Sequence, residues 1–435
     1  MKKQLILLFI FLFANLQAEE KNEKPDDSKN SENIEPQKDK ESYQIMGDID
    51  FSPYSGAQNL LTLHESLEKA FSYVIPHKQE KKAIYAILRI LELGFVWGPL
   101  SRAEMVVQHE VFGHGYRIRD IGSSRAKVKG YQIDMPPPYG GGGGGTRYSF
   151  NSDLTSFQEI AISLAGVEAS AILANRLKMK WMESLKLDAR KASLYLQSHL
   201  DLTNYVLSME DSFLFADTGH DIKSYIYWLN NTYYEDEITC SYLKEAAIVN
   251  FLDPMMYYSI GSFFYYIFTG KDIKIPMIDI KGVKFLPNLR LGLAPYGPEC
   301  FLENFLSYKN RAIYSYVRFG NHSNNTFWGV GLEYPKLYEF NLNTIGFRAD
   351  LFHQPKIYSK EAMTIFESIQ VGYTPCELNE MIYGVSANIV YDRKFSKKSN
   401  ISIFTEIGYK TDGYIPGFAL EKGPIFRLGI GLCSF

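Results

Sequence analysis

Hydrophobic and polar positions follow two different periods along this chain. From about residue 43 to residue 280, apolar residues recur mainly at helical spacing, as in the segments Asn59–Tyr73 and Leu154–Met182. From about residue 281 onward, apolar and polar residues alternate one by one, which is the period of a β-strand with two different faces. The change of period predicts an α+β chain, with a mainly helical domain at 43–280 and an antiparallel β domain at 281–435.

Eight segments of the β domain alternate over about eight to twelve residues each. In one of them Trp328 and Val330 share one parity, whereas Gly329 and Gly331 share the other. Transmembrane strands need this length and this separation of an apolar from a polar face. The pattern predicts an eight-stranded outer-membrane β-barrel, and a soluble antiparallel sandwich with an aromatic core is the alternative. The residues between the first two segments are predicted to be a connection. The segments are Lys284–Ala294, Arg311–Phe319, Thr326–Tyr334, Thr344–His353, Phe366–Tyr373, Met381–Tyr391, Asn400–Lys410 and Pro424–Phe435.

The start of the chain has the pattern of an export signal. Lys2 and Lys3 precede an apolar core, Leu5–Phe13, and a small-residue cleavage site. The apolar core is too short to span a bilayer, so residues 1–18 are predicted to be a cleaved signal peptide. Residues 19–42 consist mainly of Lys, Glu, Asp, Asn, Ser and Pro, and they predict a disordered polar leader.

Composition narrows the classes of function. The formal net charge of −3 gives no indication of nucleic-acid binding. Aromatic residues make up 15% of the chain and are mostly Tyr and Phe, and Tyr is favoured where a surface is partly wet and partly apolar. The four cysteines of an exported chain permit disulfides without requiring them.

The segment Gln108–Gly115 carries two histidines and a glutamate within a predicted helix. His109 and His114 are five residues apart, and in a regular α-helix that spacing turns the second ring about 140° away from the first. A one-residue π-bulge would bring both rings to the same side of the helix. Gly113 is the residue that tolerates such a distortion best. The segment therefore predicts a distorted helix in which both imidazoles can bind one metal ion.

This segment resembles the HEXXGH zinc motif of the dipeptidyl peptidase III family. The resemblance implies that His109 and His114 bind zinc and that Glu110 is the base that activates a zinc-bound water. It also implies a third ligand from a Glu on a helix some fifty residues downstream, a place that Glu168 occupies 54 residues after His114. The acidic pair and the basic residue of the family are missing around Glu168, and the rest of the chain does not resemble that family.

Glu168 also fits a ligand role because it lies in a strongly apolar predicted helix. A buried carboxylate is costly unless it is paired or binds a metal. Ala165 and Gly166 precede it and leave room for a second helix to approach. Glu159, near the start of the same helix, is the reserve ligand, and a hydrogen-bonded cluster of His and Glu without metal is the structural alternative.

Other candidates are less specific. His199, His220 and Asp221 could supply a donor to the transition state. The six glycines of Gly140–Gly145 could form a plain linker, or a flap between two short strands over the metal cleft. The apolar stretch 242–269 contains Asp253-Pro254, which favours a buried core over a transmembrane helix.

The β domain resembles the small eight-stranded outer-membrane proteins of Gram-negative bacteria, which also end in Phe, here Phe435. Those proteins usually alternate apolar residues in phase with the final Phe. Here Arg427 and Gly429 occupy that phase, whereas Phe426 and Leu428 occupy the other. The difference indicates either a register break before Phe435 or a sheet that is not a standard barrel.

Together these features predict an exported zinc-dependent hydrolase, specifically a metallopeptidase. Its helical domain would be periplasmic, with a plug inside the barrel as the open alternative, and its β-barrel would contact outer-membrane lipid in a Gram-negative bacterium. Its cofactor would be Zn²⁺ and its substrate a peptide or protein. The alternative is a structural or adhesion protein of the outer membrane with an inert or merely metal-binding His/Glu cluster. A lipid-modifying barrel enzyme would need catalytic residues near its strand ends, and the sequence offers no compelling set there.

Overall fold

A computed structural model gives the fold, and the sequence explains most of its elements. The structure describes residues 42–74, 82–152, 154–210, 219–233, 238–357, 380–396 and 401–433. The predicted signal peptide, the polar leader before Ser42, the predicted strand Phe366–Tyr373 and Phe435 lie outside these residues. Helices dominate the first part and an antiparallel sheet the second, so the α+β class is confirmed.

The described residues contain ten α-helices, which lie between Pro53 and Thr269. Asp253 accepts a hydrogen bond from the backbone N–H of Met255 and so interrupts the apolar stretch 242–269, as the sequence indicates. The helices are Pro53–Val74 (α1), Ala83–Glu92 (α2), Gly98–His109 (α3), Gly115–Ile121 (α4), Ser156–Ser184 (α5), Ala189–His199 (α6), Asp201–Ser208 (α7), Asp221–Tyr233 (α8), Cys240–Ala247 (α9) and Pro254–Thr269 (α10).

Helices α2, α3 and α4 are parts of one continuous helix, Ala83–Ile121, joined by two π-helical turns at Leu93–Trp97 and Glu110–His114. This helix and α5 are the two described helices that are long and apolar enough to cross a membrane. Their surroundings differ, because 83% of the apolar stretch of α5 is buried in the protein, compared with 17% for Ala83–Ile121. By burial, α5 is therefore a core helix, whereas the apolar part of Ala83–Ile121 faces outward.

Ten strands form one antiparallel sheet, ordered β1-β14-β13-β12-β11-β10-β9-β8-β7-β6. From β6 to β14 consecutive strands are neighbours, and β1 pairs with β14. The strands are Ser42–Gly47 (β1), Ile278–Ile280 (β6), Val283–Ala294 (β7), Gly297–Tyr308 (β8), Arg311–His322 (β9), Asn325–Phe340 (β10), Asn343–Pro355 (β11), Met381–Lys394 (β12), Ile401–Lys410 (β13) and Gly423–Cys433 (β14). Two small sheets pair Ala126–Ile133 (β2) with Gly144–Phe150 (β3), and Lys186–Leu187 (β4) with Ile273–Lys274 (β5).

Seven of the eight predicted strands match observed strands, but the prediction of a closed eight-stranded barrel is wrong for the described residues. The sheet has ten strands there and is not closed, because β1 and β6 remain its two edges. The predicted connection after the first strand is β8, where Cys300 lies. Both faces of β8 mix apolar and polar residues, so its alternation is not visible in the sequence. The sequence pattern also gave no sign of the short edge strands β1 and β6.

The sheet carries its charged residues on the buried face and its apolar residues on the exposed face. One row of aligned neighbours across five strands consists of Leu302, Val317, Val330, Leu351 and Val385, and these side chains are between 37% and 48% exposed. On the opposite face charged side chains are almost completely buried, including Glu303 of β8 and Arg318 of β9. The alternation in the sequence therefore reports the two faces correctly, and the charged face is the inner one.

Helix α5 packs against that inner face. It begins with a capping box in which the backbone N–H of Gln158 donates to Thr155 Oγ1 at 3.2 Å. In the sheet, Glu303 accepts hydrogen bonds from Arg290, Tyr314 and Asn175 of α5 at 2.8–3.1 Å. Buried charges are tolerated when their partners are this complete. The helices and the sheet consequently share one interior, and the described residues from Ser42 to Cys433 belong to one compact unit.

A buried ion pair ties three parts of this unit together. Arg117 of α4 lies 3.3 Å from the carboxylate of Glu168 of α5, and its side chain is fully buried. Arg117 also donates to the carbonyl of Phe418, and the backbone N–H of Gly417 donates to Glu168. The connection between β13 and β14 is thus attached to the core helix through this pair.

Removing Arg117 should destabilise the fold strongly. The substitution Arg117→Met leaves the buried carboxylate of Glu168 without its cation, which costs about 3 kcal/mol of unfolding free energy. Lys422→Met is the matched control, because Lys422 and Asp412 form an exposed pair at 3.9 Å and should lose less than about 1 kcal/mol. Chemical denaturation of both variants measures the difference, and equal losses would contradict a structural role for the pair.

Candidate metal centre

The second π-helical turn brings the two histidines of the motif together. His109 ends α3, and His114 ends the turn Glu110–His114. Their Nε2 atoms lie 3.1 Å apart, and their ring centroids lie 4.9 Å apart. The extra residue in the turn compensates for the five-residue spacing, so the predicted π-distortion is confirmed.

Two glycines allow α5 to approach this turn closely. A β-carbon at Gly113 would come within 2.7 Å of the carbonyl oxygen of Ala165, and one at Gly166 would overlap the ring of His109. The interpretation that Ala165 and Gly166 leave room for a second helix is therefore confirmed. The approach fixes the position of the His109 ring against the backbone of α5.

Each histidine is oriented by a hydrogen bond on its other ring nitrogen. Nδ1 of His114 lies 2.8 Å from the carbonyl oxygen of Ile162, and Nδ1 of His109 lies 2.8 Å from Oδ2 of Asp201. Because a carbonyl only accepts, Nδ1 of His114 carries a proton, so Nε2 is the nitrogen that would bind a metal after losing its own proton. The carboxylate of Asp201 favours the same tautomer for His109. Such partners are characteristic of histidines that bind metals.

The third group at this point is Asp221, at the start of α8. Its Oδ2 lies 3.0 Å from Nε2 of His109 and 3.2 Å from Nε2 of His114. Burial alone would raise the pKa of Asp221, but the positive charges and hydrogen bonds of the protonated His114 and His109 rings outweigh it and hold that pKa well below its usual range. Asp221 is therefore a carboxylate.

The three atoms form a nearly equilateral triangle that fits a small cation. Ligand atoms placed 2.0–2.2 Å from a tetrahedral zinc ion are about 3.4 Å apart, close to the observed distances. Two imidazoles and one carboxylate form a frequent donor set of catalytic zinc sites, which leave a fourth position open. Among the described residues, His109, His114 and Asp221 are the group whose ligand atoms converge in this way.

The structure does not bring Glu168 to this group. Glu168 is held by Arg117 and by the backbone N–H of Gly417, as described above, and neither Glu168 nor Glu159 belongs to the converging set in the described part of the chain. The carboxylate that the resemblance assigned to Glu168 is supplied here by Asp221. Asp221 lies 107 residues after His114, a separation that follows no motif rule.

Glu110, the residue after His109, lines a cavity of ≈ 300 Å³. Its Oε2 accepts a hydrogen bond of 2.8 Å from the hydroxyl of Thr146 in β3. The cavity is also lined by His109, Asp201 and Tyr205. The candidate base Glu110 and one candidate ligand, His109, thus line the same water-accessible space.

The glycine tract lies at the tip of the β2–β3 hairpin and begins β3. Gly144 packs against Val106 and Glu110, and Gly143 and Gly144 line the cavity. The tract therefore connects two short strands beside the cavity, as the second interpretation expects, and its action as a flap over a metal stays a prediction. Glycine at these positions lets the β3 backbone approach the motif helix closely.

Tyr205 is the residue at the cleft that the sequence reasoning missed. Its ring stacks on His109 with centroids 5.5 Å apart and 12° between the planes. Burial and the neighbouring carboxylate of Asp221 raise the pKa of the Tyr205 phenol, so it keeps its proton. His220 packs edge-on against Tyr205, whereas His199 lies in another buried cluster, bonded to the carbonyl of Asn250. Tyr205 is therefore better placed than either histidine to donate a proton or a hydrogen bond in the cavity.

Comparison of the chain with protein-family models, with curated protein sequences and with solved structures gave no match.

A β-carbon at Gly166 should weaken metal binding. Gly166→Ala forces the His109 ring out of the triangle, and the affinity for zinc should fall by about tenfold or more, as it does when groups that orient a ligand are lost. Gly94→Ala is the control, because it lies in the same continuous helix and a β-carbon there meets nothing within 4 Å. Zinc titration against a competing chelator measures both affinities, and equal values would show that the close packing does not position His109.

Proposed function

We propose that this protein is a zinc-dependent hydrolase of peptides that resides in the outer membrane. The observation that carries the proposal is the convergence of two Nε2 atoms and one carboxylate oxygen, next to a cavity that His109 and Glu110 line. A purely structural cluster would not need an acidic side chain facing a space of this size.

His109, His114 and Asp221 would hold the zinc ion. When bound, zinc polarises a carbonyl group and lowers the pKa of a coordinated water. Glu110 is positioned to accept the proton of the attacking water and to pass it to the leaving amine. The hydroxyl of Thr146 orients the Glu110 carboxylate, and Asp201 keeps Nε2 of His109 available as a ligand.

The β2–β3 hairpin supports a peptide substrate. In the described part of the chain, β2 is the strand paired with β3, which leaves the other edge of β3 for an extended peptide. The edge begins at the glycines next to Glu110, so a bound peptide backbone would pass the candidate base. Tyr205 lines the same cavity, where its hydroxyl would donate to the oxygen of the scissile bond.

The proposed location is supported by the inverted sheet. Exposed apolar side chains with charged side chains on the buried face are the arrangement of strands that contact lipid. A soluble sandwich would cover the apolar face with a second sheet, and the other sheets among the described residues have two strands each. Because α5 packs against the inner face, we propose that the helices lie inside the curve of the sheet and not in a separate periplasmic domain.

The zinc content of variants should show whether Asp221 or Glu168 is the third ligand. Purified wild type should carry about one zinc, and His109→Ala, His114→Ala and Asp221→Asn should each lose most of it, since three protein ligands are the usual set. Glu168→Gln should keep its zinc and lose stability instead. Elemental analysis of the folded variants decides this, and full zinc in Asp221→Asn with loss in Glu168→Gln would restore Glu168 as the ligand.

Glu110→Gln should separate a hydrolase from a metal-binding structural protein. The amide cannot accept the proton, so hydrolysis of a quenched fluorescent peptide library should fall by about two orders of magnitude or more. The variant should retain its zinc, because Glu110 is not in the converging group. Unchanged turnover would exclude Glu110 as the base, and no turnover by the zinc-loaded wild type would favour the structural or adhesion protein.

A further inference from the structure

A series of helices, each in contact with the next, lies between the two edges of the sheet. At the first edge, α1 covers β1. The side chain of Asn59 accepts from the backbone N–H of Met46 at 2.7 Å and donates to its carbonyl at 2.8 Å, and Thr62 does the same for Gln44 at 3.1 and 2.7 Å. Side chains of α1 therefore satisfy the backbone groups that another strand would otherwise bind.

The next contacts lead from α1 to α2 and the turn that follows it. Trp97 is 1% exposed and packs against His64 and Phe71 of α1, with ring centroids 5.2 and 5.5 Å away. Trp97 ends the π-helical turn after α2, so α2 leads directly into this contact. Helix α1 thus joins the edge strand β1 to the long helix Ala83–Ile121.

Helix α10 continues the path to the other edge. Arg89 of α2 donates to the carbonyl of Ile267 at 2.9 Å, and the hydroxyl of Tyr266 donates to Glu92 at 3.0 Å. Helix α10 contacts β7, and the chain runs from Thr269 through β5 to β6. A path of contacts thus bridges the opening of the sheet. It runs from β1 through α1, α2 and α10 to β6–β7. We call residues 83–97 and 254–269 the helical seam.

The outward face of the seam has the polarity of a lipid-facing helix. Arg89 and Glu92 are the charged residues between 83 and 97. Arg89 is 4% exposed, and Glu92 bonds to Trp97 and Tyr266. The large exposed side chains are apolar except for Tyr265, which is 38% exposed. The apolar ones are 46–64% exposed: Ile84, Ile87, Leu88, Ile90, Leu91, Phe95, Phe264 and Phe268. A helix at a water surface would expose its charged residues and bury its apolar ones.

The height of the seam also matches the sheet. Fifteen helical residues rise about 22 Å, close to the apolar band of about 25 Å on outer-membrane strands. The polarity of the seam and that of the outer face of the sheet are the same, although one is helical and the other is not. One apolar environment around the protein explains the exposed apolar residues of both the seam and the sheet.

We infer that the helical seam contacts the acyl chains of the bilayer and completes the protein wall between β1 and β6. This inference rests on the proposed location in a membrane and adds that the wall is part helix. The helix that carries His109 and His114 then starts in the lipid-facing wall, and the metal centre lies on its continuation. The alternative is that a second copy of the chain binds this apolar face.

Site-specific photocrosslinking in isolated outer membranes distinguishes these occupants. A photoreactive benzophenone amino acid is placed by the substitution Ile87→p-benzoylphenylalanine in the seam. The same residue is placed at Val385 on the sheet and at Leu207 on α7, where the native side chains are 48% and 51% exposed. Adducts are identified by mass spectrometry, and each variant is first checked for folding by circular dichroism against the wild type.

The seam inference expects lipid adducts at Ile87 and Val385, with at least tenfold fewer at Leu207. Lipid adducts at Val385 but none at Ile87 would overturn the helical seam and leave the membrane location intact. Adducts between two protein chains at Ile87 would assign the face to a second copy and overturn the inference as well. Absence of lipid adducts at both positions would refute the membrane location together with the seam.

Discussion

The close approach of α5 to the π-helical turn Glu110–His114 is the constraint on which the metal centre depends. A spacing of five residues from one histidine to the next suits one metal ion only if the helix contains an extra residue. That distortion is stabilised because Gly113 and Gly166 bring two backbones together without side chains between them. The same contact supplies the carbonyl of Ile162 that orients His114. The motif is therefore a property of two helices and not of one.

The inverted sheet imposes the second constraint. Its charged inner face needs partners that water would otherwise provide, and α5 provides several of them, as Asn175 does for Glu303. In return the sheet holds α5 in place behind the histidines. The buried pair Arg117–Glu168 adds the connection between β13 and β14 to this arrangement. The buried charges thus connect the sheet to α5, and α5 in turn positions the histidines of the site.

The sequence predicts local features of this structure well and non-local ones poorly. The π-distortion follows from the spacing of His109 and His114, and strand positions follow from alternation, because both depend on residues close in the chain. Closure of the sheet depends on whether distant edges meet, and alternation carries no information about that. Burial correctly indicated that Glu168 needs a partner, but the partner is Arg117, 51 residues away in the chain. Asp221 could be found only from the fold, since its helix reaches the histidines through tertiary packing.

The central claim is that His109, His114 and Asp221 bind one zinc ion beside Glu110. Anomalous diffraction at the zinc absorption edge, from crystals of the protein purified with its native metal, tests it most directly. The account predicts one zinc peak about 2.0–2.2 Å from Nε2 of His109, Nε2 of His114 and one carboxylate oxygen of Asp221. A zinc ion bound by Glu168 in place of Asp221, or bound away from the two histidines, would contradict it.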